Sequence, residues 1–72
     1  MQLNPQAVIA LRNAGGESQK TLAGRVGISE KSLNLIEQGK TRPRASTIKR
    51  IADALSVPIG AITRYDDERA AS

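Results

Sequence analysis

Residues 18–39 read SQKTLAGRVGISEKSLNLIEQG, and the rest of the chain can be interpreted around this stretch. It contains two short segments with apolar residues at helical spacing, and only residues 26–29 lie between them. Gly27 can adopt the positive φ that so short a turn requires, because glycine has no Cβ. Ala23, four residues earlier, presents a small side chain where two crossing helices must approach each other. The stretch predicts two helices joined by a tight turn; the alternative is an ordinary helical hairpin inside a bundle.

The ends of these two helices are marked by capping residues. Ser18 and Ser29 are suited to accept a hydrogen bond from a first-turn N–H group, which predicts that they are the N-caps. Gly27 ends the first of the two helices and Gly39 ends the second. The apolar residues that face inward at helical spacing are Leu22, Ala23, Val26, Leu33 and Ile36.

Three further helices are predicted around this pair. Asn4 followed by Pro5 is typical of a helix start, and the glycine pair at 15–16 ends that helix. A fourth helix has i, i+3, i+4, i+7 spacing and a short fifth begins at Pro58; their apolar residues are Ile48, Ile51, Ala52, Leu55, Ile59 and Ile62. We therefore expect an all-α fold, a compact five-helix domain over residues 1–65. Residues 66–72 form a short acidic tail that we expect to be disordered.

Composition restricts the function classes. The chain has 72 residues, enough for one small domain, and a net charge of +4. Eight basic and two acidic residues lie in 19–50, a net charge of +6 that favours a polyanion as partner; the alternative is a charge that serves solubility alone. With no Cys and no His, the usual zinc and nucleophile–imidazole sites cannot be built, so we expect no enzyme activity, metal or cofactor.

The sequence contains no recognisable membrane or secretion signal, which bears on the cellular location that we expect. No apolar run approaches the ~18 residues of a membrane span, and the N-terminus shows no basic region followed by an apolar stretch. We expect a cytoplasmic location and no membrane partner. No small-molecule ligand is evident from the sequence.

From Val8 to Ile62 the chain resembles the Cro and lambda-repressor-like helix-turn-helix domains, also called the xenobiotic-response-element family. The resemblance rests on the motifs SQKTLA (18–23), VGIS (26–29), IEQGK (36–40) and IADAL (51–55). It implies a five-helix module that binds specific sequences in double-stranded DNA. Such modules usually bind a two-fold operator as dimers, and most are transcriptional repressors.

The resemblance also implies roles for individual residues. Helix three would enter the major groove, and Gln19, the first residue of helix two, would hydrogen-bond a phosphate. Lys40, Thr41 and Arg42, which follow helix three, would hold phosphates across the groove. Arg12 would pair with Glu37 in a structural ion pair that ties helix one to helix three.

The base-contacting face of helix three can be argued from its geometry. Successive residues of a helix are rotated by about 100°, so Leu33 and Ile36 lie on the same side, which we expect to be buried. A recognition helix reads bases mainly through its N-terminal residues. The predicted base contacts are therefore Glu30, Lys31 and Ser32, followed by Asn34 and Leu35. Lys31 suits guanine. Glu30 either accepts a hydrogen bond from cytosine or only stabilises the N-terminus of the helix through its negative charge. Leu35 either packs on a thymine methyl group or is an ordinary exposed leucine.

Three positions depart from the family pattern. Glu17 stands where an apolar residue usually packs before helix two. Gly24 lies inside that helix, where glycine costs about 1 kcal/mol against alanine. Arg44 stands where a capping Ser or Thr is common before helix four, so either Ser46 caps that helix or Arg44 is exposed and contacts phosphate.

The sequence supports one main function and one alternative. The main interpretation is a DNA-binding repressor that forms a homodimer, weak off DNA, through Ile59, Ile62 and Tyr65 near helix five. The alternative is an antitoxin or another protein-interaction module on the same fold.

Overall fold

The computed structural model describes residues 2–64; Met1 and residues 65–72 lie outside the described part. In chain order the elements are β1 (Gln2–Leu3), α1 (Pro5–Ala14), α2 (Gln19–Val26), α3 (Glu30–Glu37), α4 (Ala45–Ala54), a 3₁₀-helix (Ile59–Ala61) and β2 (Thr63–Arg64). Within residues 2–64, no helix combines the length and the apolar composition needed to cross a membrane.

The first three helices begin at the predicted capping residues. The side chains of Asn4, Ser18 and Ser29 each accept a hydrogen bond from a backbone N–H in the first turn of the helix that follows. These bonds satisfy N–H groups that have no partner inside the helix. The helix starts are therefore set by local side-chain chemistry.

The turn between α2 and α3 has the predicted left-handed glycine. Gly27 has φ +89° and ψ 29°, and its N–H donates to the Ala23 carbonyl oxygen at 2.8 Å. The N–H of Ile28 donates to the same oxygen at 3.0 Å. Ala23 is 2% exposed, so its small side chain is buried in the core, as the prediction of a tight crossing requires.

One aliphatic core holds all four helices together. Its fully buried side chains are Val8, Leu22, Leu33, Ile51 and Ile62, which come from α1, α2, α3, α4 and the segment after the 3₁₀-helix. Each helix contributes one apolar stripe because its apolar residues recur at three- and four-residue spacing.

The prediction of a fifth α-helix is not confirmed, because residues 59–61 form a single 3₁₀ turn. Its N–H groups bond three residues back, from Ala61 to Pro58 at 2.9 Å and from Ile62 to Ile59 at 3.1 Å. Gly60 at its centre disfavours a longer helix. The chain must then extend, because it pairs with the N-terminus.

The two strands also correct the expectation of a purely α fold. β1 and β2 pair antiparallel, with Gln2 opposite Arg64 and Leu3 opposite Thr63. The Asn4 N–H continues this pairing by donating to the Ile62 carbonyl at 2.7 Å. The fold is mostly helical, with a two-stranded ribbon that joins the start of the chain to the end of its described part.

Candidate nucleic-acid interface

The N-terminal end of α3 presents polar side chains to solvent. Of the five residues predicted to contact bases, the first three are exposed and the last two are half-buried: Glu30, Lys31, Ser32, Asn34 and Leu35. The opposite side of the helix is buried, with Leu33 at 0% and Ile36 at 5% exposure. One helix face is therefore left for a partner.

Ser32 has a local role besides its exposure. The Ser29 hydroxyl accepts the Ser32 backbone N–H at 3.0 Å and donates to the Ser32 hydroxyl at 2.9 Å. The Ser32 hydroxyl is held at the capped end of α3, so Glu30 and Lys31 are the freer side chains of the first turn.

Arg12 and Glu37 form a bidentate ion pair between α1 and α3. Arg12 Nε donates to Glu37 Oε2 at 2.8 Å, and Arg12 Nη2 donates to Oε1 at 2.9 Å. The remaining guanidinium nitrogen, Nη1, donates to the Glu17 carbonyl oxygen at 3.0 Å. The hydrogen bond with Glu37 raises the pKa of Arg12 despite the opposing effect of burial. A raised pKa keeps Arg12 charged except in strongly alkaline solution, so its contribution to stability does not vary around neutral pH.

Gln19 extends this pair into a network that reaches the predicted base-contacting face. Its Nε2 donates to Glu37 Oε1 at 2.9 Å and to Asn34 Oδ1 at 3.2 Å. Both protons of the Gln19 amide group are thus used inside the domain. Gln19 lies at the start of α2, where the resemblance implies a phosphate contact, but a phosphate could take one of these protons only by displacing Asn34 or Glu37.

Sequence reasoning missed this internal role of Gln19 and Asn34. The available signal was the spacing of Asn34 and Glu37, which lie three residues apart and therefore share one face of α3. Their common partner lies on another helix, and the sequence shows no spacing that relates α2 to that face.

The segment between α3 and α4, residues 40–44, is here called the basic connector. Four of its residues are predicted phosphate contacts and all four are exposed: Lys40, Thr41, Arg42 and Arg44. In the part of the chain that the structure describes, none of its three basic side chains forms an ion pair. Their charges are therefore available to an external anion.

A groove of about 330 Å³ joins α3 to the basic connector, and we call it the α3 groove. Ser32 and Leu35 line it from α3, and Thr41, Arg42 and Arg44 line it from the connector. The structure thus brings two predicted base contacts and three predicted phosphate contacts to one groove. The other predicted contacts do not line it: Gln19, Glu30, Lys31, Asn34 and Lys40.

Arg44 is the N-cap residue of α4, and its side chain makes no capping hydrogen bond. Ser46 lies inside the helix, so the predicted alternative cap is wrong. The first N–H groups of α4 are left without a side-chain acceptor next to the exposed Arg44.

Glu17 replaces the usual apolar contact with polar ones. Its Oε2 pairs with Arg25 Nη1, and its carbonyl oxygen accepts from Arg12. Its other carboxylate oxygen is buried without a hydrogen-bond partner. The departure from the family pattern therefore leaves one polar atom uncompensated beside α2.

The three residues predicted to form the dimer interface differ in how far they are buried. Ile62 is 0% exposed, so the prediction that it lies in an interface is corrected: it is a core residue, held over the core by the strand pairing that follows the 3₁₀ turn. Ile59 is half-buried and packs against the core. Tyr65 lies outside the described residues.

Residues 2–64 contain no cluster of metal-binding side chains. No group of three or more His, Cys, Asp or Glu side chains there could hold a metal ion.

Two capped helices, a left-handed glycine turn and an exposed second helix define a helix-turn-helix domain. The helix-turn-helix family model matches residues 8–62, and the chain belongs to the Cro/C1-like helix-turn-helix family.

Relatives and a solved structure share this domain. An uncharacterised HTH-type transcriptional regulator of Mycobacterium bovis is 33% identical over 58 residues, which are 81% of this chain and 23% of the relative. The matched part thus spans less than a quarter of that regulator. A transcriptional regulator in the ATPase CF(0) region of Rhodospirillum rubrum is 46% identical over 41 residues, 57% of this chain and 38% of the relative. The crystal structure of the restriction-modification controller protein C.AhdI from Aeromonas hydrophila has a TM-score of 0.80 at 29% identity, covering 82% of this chain and 89% of that one.

Proposed function

We propose that this chain is a sequence-specific double-stranded DNA-binding transcriptional regulator, in which α3 enters the major groove. The observation that carries the proposal is the α3 groove, where Ser32 and Leu35 of α3 share one surface with two arginines of the basic connector. Within residues 2–64 neither arginine forms an ion pair. A helix of this width fits the major groove, and cations beside it meet the phosphates that border the groove.

Base recognition would come from the first half of α3. Lys31 can donate to guanine O6 or N7, and Glu30 can accept from cytosine N4. Leu35 lies in the α3 groove, where its side chain can pack on a thymine methyl. Asn34 has its Oδ1 bonded to Gln19, so its Nδ2 is the group free to donate to a base.

Phosphate binding would come from the two sides of α3. Lys40, Arg42 and Arg44 supply the charge on one side. On the other side, the free first-turn N–H groups of α2 would face the DNA backbone, and the positive end of that helix dipole would add to the attraction.

A homodimer on a palindromic operator fits the size of the domain. One module of this kind covers about 600–1,000 Å² on DNA, and a dimer doubles that contact. Half-sites one turn apart, about 34 Å, would place both α3 helices on one side of the duplex. Ile59 and Tyr65 are the candidate interface residues that remain, and the dimer is expected to be weak off DNA. Repression is the proposed outcome, and the likeness to a restriction-modification controller supports a regulatory role.

The proposal is tested by selecting bound sequences from random duplex DNA and comparing three alanine variants on the selected site. Lys31→Ala should weaken binding by about 1–3 kcal/mol and relax the base preference at one position. Arg42→Ala should weaken all sequences to a similar extent. Lys49→Ala is the charge-matched control, since Lys49 is exposed beside Asp53 on α4 and belongs neither to α3 nor to the basic connector. Identical specificity profiles for the Lys31 and Arg42 variants would contradict the placement of α3 in the groove.

A further inference from the structure

A second cleft, of about 270 Å³, lies between the two strands and the basic connector, and we call it the strand cleft. Leu3, Ile36 and Ile48 provide apolar lining, and Arg42 and Arg64 provide its charged lining. Arg42 also lines the α3 groove, so the two surfaces share one arginine.

The charge of the strand cleft is one-sided. Among residues 2–64, no acidic residue lines the cleft, and neither Arg42 nor Arg64 forms an ion pair. Two guanidinium groups beside apolar walls favour an anionic occupant, and carboxylates suit the fork geometry of guanidinium.

The chain itself supplies carboxylates next to this cleft. The described part ends at Arg64, a lining residue, and the sequence continues with Tyr65, Asp66, Asp67 and Glu68. An extended chain advances about 3.3–3.6 Å per residue, so these carboxylates lie within four residues, or about 14 Å of chain, of Arg64.

We infer that the acidic segment 66–68 docks in the strand cleft, where its carboxylates pair with Arg42 and Arg64. The docked segment competes with DNA phosphates for Arg42 and so lowers DNA affinity. Exposed ion pairs are individually weak, but a short tether raises the local carboxylate concentration into the millimolar range. The competition for DNA rests on the proposed function, whereas the docking does not.

The docking is tested first without DNA, on the full chain. Backbone amide NMR shifts of the wild type are compared with those of a triple variant, Asp66→Asn, Asp67→Asn and Glu68→Gln. Docking predicts shift changes at cleft residues such as Leu3, Gly39 and Ile48 that exceed those elsewhere in the domain. Asp53→Asn is the control, since it removes an exposed carboxylate from α4 and should leave the cleft signals unchanged. Coincident cleft signals in the wild type and the triple variant would overturn the proposal.

Dilution distinguishes docking of segment 66–68 within one molecule from docking of the same segment of a second copy of the chain. Docking within one molecule does not depend on concentration, so the cleft signals should be unchanged after tenfold dilution. Signals that move toward those of the triple variant on dilution would mean that the carboxylates come from another molecule, which would overturn docking in cis.

The competition is tested on the selected duplex at low salt. If the segment occupies the cleft about 70–90% of the time, the triple variant should bind about 3–10-fold more tightly than the wild type. In an Arg64→Gln background the gain should be clearly smaller, because docking is already weakened. An equal gain in both backgrounds would show only a long-range charge effect and would overturn the inference. If no form binds any duplex, the proposed function fails, and the amide shifts still decide the docking.

Discussion

Glu37 is an almost completely buried carboxylate, and its three hydrogen-bond donors explain why the domain tolerates it. It is 6% exposed, and it accepts two hydrogen bonds from Arg12 and one from Gln19. A buried charge is stable only when it is paired and hydrogen-bonded. These bonds also connect α1, α2 and α3 at the edge of the proposed DNA-binding face.

Replacing Glu37 should therefore destabilise the whole domain. Glu37→Ala leaves Arg12 with a poorly compensated charge, and breaking such a pair costs about 3–5 kcal/mol. That is close to the total stability of a domain this small, about 3–5 kcal/mol. Urea unfolding followed by circular dichroism should show a largely unfolded variant at 25 °C. Asp53→Ala, which breaks the exposed pair with Lys49, should change stability by less than about 1 kcal/mol. A folded Glu37→Ala domain with lost DNA binding would instead make Glu37 a contact residue.

The helix-turn-helix element contains two glycines with opposite requirements. Gly27 ends α2 at φ +89°, and a Cβ there would lie 2.8 Å from Arg50 Nη2. Gly24 lies inside α2, where a Cβ would meet no atom within 4 Å. Close packing against a neighbouring helix therefore does not explain Gly24.

These two positions make a matched pair of alanine variants. Gly27→Ala should destabilise the domain by about 1–2 kcal/mol, the cost of a left-handed conformation for a residue with Cβ, since the flexible end of Arg50 can move away. Gly24→Ala should stabilise it by about 0.5–1 kcal/mol through higher helix propensity. Urea midpoints measure both. Stabilisation by Gly27→Ala would contradict the account of the turn.

The N-terminus of α4 offers a prediction in which stability and binding change in opposite directions. Arg44→Ser supplies the missing side-chain acceptor and should stabilise the domain by about 0.5–2 kcal/mol. The same change removes a cation from the α3 groove and should weaken DNA binding. Thermal unfolding and fluorescence anisotropy on labelled duplex measure the two effects. Unchanged DNA affinity would remove Arg44 from the proposed phosphate contacts.

At the scale of the whole molecule, positive charge dominates the expected binding. The net charge is +4, and the cations of the basic connector have no ion-pair partners in the described region. Association with DNA should therefore depend strongly on counterion release.

The operator complex should weaken steeply with salt. A dimer with about 6–10 phosphate contacts loses about 10³–10⁵ in affinity between about 50 and 200 mM salt. Fluorescence anisotropy titrations over that range measure the slope of the logarithm of the binding constant against the logarithm of the salt concentration. Removing Arg42 and Arg44 together should make the slope shallower by about two per protomer, whereas Lys49→Ala should leave it unchanged. A flat response in the wild type would contradict binding through the basic connector.

Much of the architecture could be predicted because its determinants are local. Asn4, Ser18 and Ser29 cap helices through bonds to residues two or three positions away, and Gly27 forms its turn through its own backbone conformation. The exposed start of α3 follows in the same way from helical spacing. These features need only a few neighbouring residues, so four helices, one tight turn and the exposed face of α3 can be predicted without knowledge of the tertiary packing.

Features that depend on residues far apart in the chain could not be predicted in this way, because they form only when the elements pack together. Pairing of β1 with β2 limits residues 59–61 to one 3₁₀ turn and buries Ile62, which the sequence assigns to a dimer interface. Gln19 joins Glu37 and Asn34 only because packing places the start of α2 beside α3. Arg42 and Arg64 share one cleft although 22 positions separate them. Helical periodicity shows which residues share a face of one helix, but only packing brings faces of different elements together, since the buried area and hydrogen bonds of the whole chain select that arrangement.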